Sequence, residues 1–284
     1  MVKNQIKTII LLGLLTGLML GAGQLLGGKA GLFIGLVFAL MINLFSYFFS
    51  DKIVLMMYRA QEVDKTHPLY KAVAEVAHLA RIPMPRVYII PTETPNAFAT
   101  GRNPMHAAVA ATEGILRILD KDELRGVLSH EISHVKNRDI LITTIAATIA
   151  GVISYLANMA QWAALFGTGG RDEDRGNGNM IGLLVLAVLT PIIATIIQFS
   201  ISRSREYLAD ESGARLAKDP EALARALEKI ERNVMRHPMP FGSEATSSLF
   251  ITNPFTAKGL FTLFSTHPAT EDRVARLHAL RDNV

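Results

Sequence analysis

Four stretches of the chain carry no charged residue: 9–26, 31–49, 140–166 and 180–201. Each is about 18 residues or longer, enough for a helix to cross a ~30 Å hydrocarbon core at 1.5 Å per residue. The first two predict a helical hairpin turning at Gly27, Gly28 and Gly31. The last two predict a second hairpin around the polar loop 167–179, GTGGRDEDRGNGN, with Pro191 as a tolerated kink. The alternative is buried core helices. It fits the second pair better, because Thr143, Thr144, Asn158 and Gln161 dilute the third run. The pattern therefore predicts a mainly α membrane protein with four transmembrane helices.

Basic residues orient the spans. Lys3, Lys7, Lys52, Arg59, Lys65, Lys136, Arg138, Arg203 and Arg205 fall on one side. Lys29, Arg171 and Arg175 fall on the other, with Asp172, Glu173 and Asp174 beside the last two. The first side is expected to be cytoplasmic. Residues 1–28 also fit a signal peptide, and cleavage there leaves the polar region after Asp51 on the same side.

The polar stretches 51–139 and 202–284 are each short for a domain, so they are expected to pack together as one split unit. Residues 67–82 have apolar positions at helical spacing (Leu69, Val73, Val76, Leu79) and are stopped by Pro83 and Pro85. Residues 86–90, 94–101 and 105–111 read as strands, the last two joined by a turn at Arg102, Asn103 and Pro104. Asp120 and Glu123 form a capping-box pair opening a helix through His134. Asp219 and Pro220 open another over 221–236. Residues 237–266 read as a long loop, and 268–281 as a final amphipathic helix.

Composition narrows the function classes. Half of the 284 residues are hydrophobic and 19% are charged, against about 25% in soluble domains. Mean hydropathy is +0.28. There is no Cys, which excludes disulfides, thiolate metal sites and a Cys nucleophile. The net charge of +4 shows no basic, aromatic-interleaved patch, so no nucleic-acid partner is expected.

The chemistry begins at residues 130–134, His-Glu-Ile-Ser-His. On a helix, His130 and His134 share one face and both imidazoles can address one metal. Glu131 sits beside that face, placed to take a proton from water whose pKa zinc lowers to about 7. The alternative is a solvated helix with two histidines. Residues 135–138, Val-Lys-Asn-Arg, lack the downstream His of metzincins. The third ligand is then expected on another helix, and Ser-Arg-Glu-Tyr-Leu-Ala-Asp, 204–210, supplies Glu206 and Asp210 one turn apart. Glu206 is the candidate ligand, and Asp210 the candidate acceptor for the far nitrogen of a ligating His. Taken alone, both acids also fit a solvated surface. The second hairpin would return the two motifs to similar heights, roughly 9 Å and 7.5 Å from its ends. The surrounding charges place the site in water just above the membrane.

These motifs, HEISH with SREYLAD, the N-terminal span pair and the intervening hairpin, resemble the HtpX-type membrane zinc metalloproteases, relatives of the CAAX prenyl proteases. The resemblance covers essentially the whole chain. It implies an α+β gluzincin-like zinc protease domain attached to the spans. The parts would be 1–50 (first hairpin), 51–139 (edge strands and HEISH helix), 140–201 (second hairpin) and 202–284 (third ligand and C-terminal helices). It implies His130, His134 and Glu206 as ligands of one zinc per chain and Glu131 as general base. It further implies a multi-pass protease of the plasma (inner) membrane, facing the cytoplasm, that degrades membrane-protein and unfolded polypeptide substrates in quality control.

Asn96, Ala97, Phe98 and Ala99 resemble the family's edge strand, where substrate backbone adds as a further strand. The other reading is an ordinary half-buried strand. His267-Pro268, followed by Arg273, also resembles a family motif. His267 and Tyr207 are candidate stabilisers of the oxyanion, and His267 fits equally as a helix-start residue. Three rivals remain. A prenyl-protein protease would need more membrane helices, and a zinc-bearing scaffold would need four protein ligands. A transporter would need an ionisable residue at mid-span.

Overall fold

The computed structural model describes residues 2–150, 203–242, 244–255 and 268–281. Helix α1, Val2–Met57, is broken at Gly27 and Gly28, where Gly28 takes φ 55°, a conformation that a side chain disfavours. The break folds α1 into two antiparallel arms. Gly23 and Gly31 meet so closely that a Cβ on either would lie 2.0–2.2 Å from the other's carbonyl oxygen, the small-residue contact typical of membrane helices. Asn43 ties the arms further along, donating to Thr16 Oγ1 at 2.9 Å and to the Leu12 carbonyl. The first expected hairpin is thus present.

Among the described residues, only the stretch Gly27–Met57 is both long and apolar enough to cross a membrane. Thr8–Gly21 and Ile140–Ala150 are apolar but shorter. Against the expectation of four spans, the described residues hold one helix that is long and apolar enough. Most of the second hairpin, 151–202, lies outside the described residues.

The polar region begins with β1 (Gln61–Glu62) and α2 (Pro68–Ala80), which is capped by His67 accepting from the Leu69 N–H. Strands β2 (Arg86–Ile90), β3 (Ala97–Gly101) and β4 (Ala107–Thr112) follow. The sheet order is β1-β2-β4-β3, with β2 parallel to β4 and β3 antiparallel to it, leaving β3 at one edge. Alternate residues face opposite sides. Val87, Ala97, Ala99, Val109 and Ala111 join the core formed with the helices. Tyr88, Phe98, Ala108 and Ala110 join a second core with Val54, Leu55 and Tyr58 from the end of α1. That second core couples the apolar second arm of α1 to the sheet.

Helix α3 is Glu113–Ile118 and α4 is Lys121–Asn137. The expected capping box at Asp120 and Glu123 opens α4. Helix α5 occupies Ile140–Ala150, α6 is Arg203–Ala217, α7 is Pro220–Val234 and α8 is Thr270–Leu280. Helix α4 is sandwiched between the sheet and α6. Gly213 of α6 allows this: a Cβ there would lie 2.8 Å from the His130 nitrogen. Helices α7 and α8 are slightly shorter than expected. β1 and α3 were not expected, being too short to show a period. The expected 237–266 loop contains a 3-10 turn, Glu244–Leu249.

Candidate active site

The backbone of α4 positions two imidazoles. His130 and His134 lie one turn apart, with their Nε2 atoms 3.1 Å from each other. Glu206, in the first turn of α6, reaches the same point: its Oε2 is 3.8 Å from His130 Nε2 and its Oε1 is 3.8 Å from His134 Nε2. One ligand atom from each of the three falls within 4.8 Å of the others. All other described residues leave this group at three.

Each imidazole turns its other nitrogen to a carboxylate. His130 Nδ1 is 2.9 Å from Asp210 Oδ1. His134 Nδ1 is 3.1 Å from Asp139 Oδ2. An acid at Nδ1 holds a proton there and leaves the lone pair on Nε2. Two such lone pairs and a carboxylate converging on one point form an acceptor-only set that suits a cation, and N/O donors of this kind suit zinc. The residues present therefore fit the metal.

The field agrees. Burial alone lowers the His134 pKa, but Asp139, Glu206 and Glu131 outweigh it and raise it to about 10. The carboxylates thus favour positive charge at His134. Burial, the dominant influence, lowers that of His130.

Arg273 of α8 supports this arrangement from behind. Its Nε and Nη2 donate to the two oxygens of Asp210 at 2.9 and 2.7 Å, and its Nη1 donates to the Ile251 carbonyl at 2.7 Å. Burial raises the Asp210 pKa, yet Arg273 and His130 prevail and lower it to about 2. Asp210 thus stays ionised against His130.

Glu131 is buried beside the ligands. Desolvation raises its pKa to about 8, with Glu206 adding to the rise; His134 and a hydrogen bond from the Ala99 backbone oppose it. The cavity at the ligands is about 20 Å³, roughly the room for one water-sized group. Its lining includes Ala99 on one side and Ser248, Leu249, Phe250 and Ile251 on the other.

The segment 246–252 forms a roof. The Ile251 N–H donates to the Ala97 carbonyl at 3.2 Å. The Asn96 side chain donates to the Thr252 carbonyl at 2.7 Å. Phe250 stacks edge-on against Phe98 and Tyr58, with centroids 5.2 and 4.9 Å away. Tyr58 also hydrogen-bonds Thr246.

The structure brings together His130, Glu131, His134, Glu206 and Asp210 as the sequence reading anticipated. Of Asn96–Ala99 only Ala99 lines the cavity; Asn96 and the Ala97 carbonyl are held by the roof, and Phe98 packs into the second core. The structure does not bring Tyr207 to the cavity: that ring faces Arg276, 3.8 Å from its guanidinium carbon. The reason is helical phase, since the residue after Glu206 points about 100° away. His267 lies outside the described residues. Asp139 and the role of Arg273 went unnoticed in the sequence. The signal for Asp139 was an acid just past the C-terminus of the His helix, where Arg138 in the left-handed region (φ 56°) turns the chain back.

Comparison with known proteins gives a consistent picture. The profile of peptidase family M48 matches residues 63–281. "Protease HtpX homolog" of Syntrophotalea carbinolica is 55% identical over 275 residues, covering 96% of this chain and 98% of that one. The protein of the same name from Pyrococcus furiosus is 53% identical, covering 97% and 95%. The crystal structure of S. mikatae Ste24p superposes with a TM-score of 0.52 at 18% identity, covering 97% of this chain and 66% of that one. That likeness concerns the fold.

Proposed function

The chain belongs to peptidase family M48, and from that premise we propose that it is a membrane-anchored, zinc-dependent endopeptidase. The observation carrying this reading is the convergence of His130, His134 and Glu206 with Glu131 alongside. Three protein ligands leave a coordination position open, as catalytic zinc sites do and structural ones do not. One ion per chain would be held by these three residues. Once bound, it would lower the pKa of water to about 7 and polarise the scissile carbonyl.

The remaining work belongs to the chain. Glu131 takes a proton from the attacking water and delivers it to the leaving amine. Asp210 and Asp139 fix the imidazoles in the tautomer that presents Nε2. The β3 edge aligns an extended substrate beside the ligands once the roof yields, using main-chain groups such as those of Ala97 and Ala99. Recognition through backbone is indifferent to side chains, which suits damaged or misfolded polypeptides. The apolar arm Gly27–Met57 supports membrane attachment, and membrane proteins are then the nearest substrates. The excess of basic residues beside the polar region supports a multi-pass protein of the plasma membrane with its site on the cytoplasmic face.

The test is zinc content together with casein cleavage in detergent, for wild type and Glu131→Gln. The expected result is equal zinc and at least a 10²-fold loss of cleavage in the variant. Cleavage at the wild-type rate would remove Glu131 from the mechanism. Wild-type protein that binds zinc stoichiometrically yet cuts nothing would favour a scaffold.

A further inference from the structure

A second cavity, about 470 Å³, lies away from the candidate metal site, where the second arm of α1 meets the sheet. Its walls include Phe48 and Lys52 of α1, Arg86 at the start of β2, and Arg102, Met105 and His106 from the β3–β4 turn. Its height relative to a membrane follows from length. A ~30 Å hydrocarbon core takes up about 20 residues of helix, so a span beginning near Gly27 ends near Phe48. The residues there are the expected boundary set: Phe45, Tyr47, Phe48 and Phe49 form an aromatic group, followed by Asp51 and Lys52. The cavity is therefore at headgroup level, given the reading of this arm as a span.

Its charge is one-sided. Three fixed cations, Lys52, Arg86 and Arg102, face one carboxylate. That carboxylate, Asp51, is already engaged by Arg86 at 2.6 Å. Lys52 and Arg102 rest on aromatic faces, 5.3 Å from the Phe49 centroid and 5.1 Å from that of Phe48. An aromatic face holds a cation without neutralising it. Beside them Met105 is 72% exposed and Phe48 44% exposed. The same cavity thus offers unneutralised guanidinium and ammonium groups beside open apolar surface. A soluble anion would use the first and leave the second wet. A phospholipid carries a phosphate and acyl chains together and uses both.

We propose that this cavity seats one anionic phospholipid, its phosphate between Arg102 and Lys52 and its acyl chains along Phe48 and Met105. The lipid would rivet the β3–β4 turn to the end of the membrane arm. Since β3 also borders the candidate active site, occupancy stiffens the strand that aligns substrate.

The test uses the full chain in detergent, with native mass spectrometry and thermal melting as readouts. Phosphatidylglycerol, phosphatidylcholine and inorganic phosphate are added separately. The expected result is one retained phosphatidylglycerol and a raised melting temperature. The preference over phosphatidylcholine should be roughly 30-fold, from two basic contacts at the surface. Arg102→Gln with Lys52→Gln should abolish the preference while casein cleavage in lipid-free detergent stays at the wild-type rate. Equal retention of the two lipids, an unchanged preference in the double variant, or an equal shift from inorganic phosphate would each overturn the proposal. Resistance of the protein to alkaline extraction from vesicles is scored separately, so failure of the span reading is distinguishable from failure of the lipid site.

Discussion

Replacing Arg273 by Met keeps most of the side-chain volume and deletes the charge. In the wild-type protein this guanidinium is 2% exposed and makes three hydrogen bonds, two to Asp210 and one to the Ile251 carbonyl. Asp210 is itself buried, so the variant strands a carboxylate whose remaining partner is His130. Breaking a buried pair from one side costs about 3–5 kcal/mol. At ~2–4 °C per kcal/mol for a domain of this size, the melting temperature should fall by about 6–20 °C. The damage should also reach the metal site. Asp210 sets the orientation of His130, and losing such support costs ~10–100-fold in metal affinity. Thermal melting in detergent and competitive zinc titration read the two effects. Arg273→Met combined with Asp210→Asn should cost less than the sum of the single changes, because the stranded charge is gone. A melting point within about 1 °C of wild type for Arg273→Met, or strict additivity in the cycle, would refute the reasoning.

Other expectations follow from contacts described above. Gly213→Val should push α6 away from the His130 backbone, which a Cβ would approach to 2.8 Å, and should lower bound zinc and cleavage together. Removing the metal with a chelator should lower the melting temperature, since an ion at 100 times its Kd contributes about 2.7 kcal/mol; equal melting with and without chelator would mean the ion does not join α4 to α6. Ile251→Pro deletes the N–H that donates to the Ala97 carbonyl and should raise kcat/KM on a short peptide about fivefold, the value of one net hydrogen bond; an unchanged rate would show that the roof does not limit access. The chain has no Cys, so Thr16→Cys with Asn43→Cys should crosslink cleanly under oxidation, and failure to do so would sink the hairpin of α1.

What was legible in the sequence was what local physics writes there. The H-E-x-x-H spacing, the Asp120–Glu123 box and the Asp219-Pro220 start each act within a few residues, and each has its anticipated place in the fold. Glu206 and Asp210 were readable because four residues make one helical face. The rest depends on contacts distant in sequence. Arg273 meets Asp210 across 63 positions, and no spacing rule separates it from Arg276 in the same amphipathic helix. The roof was hidden because residues 246–252 have no period; they are ordered by Asn96, Tyr58 and Arg273 rather than by their own propensities. Tyr207 looked chemical through its neighbours in sequence, but the helix turned it outward.

Glu206 stands about seventy residues after His134, and the two apolar runs 140–166 and 180–201 with their polar loop come between them. During synthesis at ~5–20 residues per second, the histidine pair would precede its carboxylate by roughly 4–14 s. Arg273, which steadies Asp210, arrives later still. A nascent chain, or one that ends before Glu206, therefore displays two histidines and a general base but no complete chelate. Such fragments would be inert. The capacity to cut is therefore expected only after Glu206 has been made, and the support of Asp210 by Arg273 only later, an order in time written into the sequence.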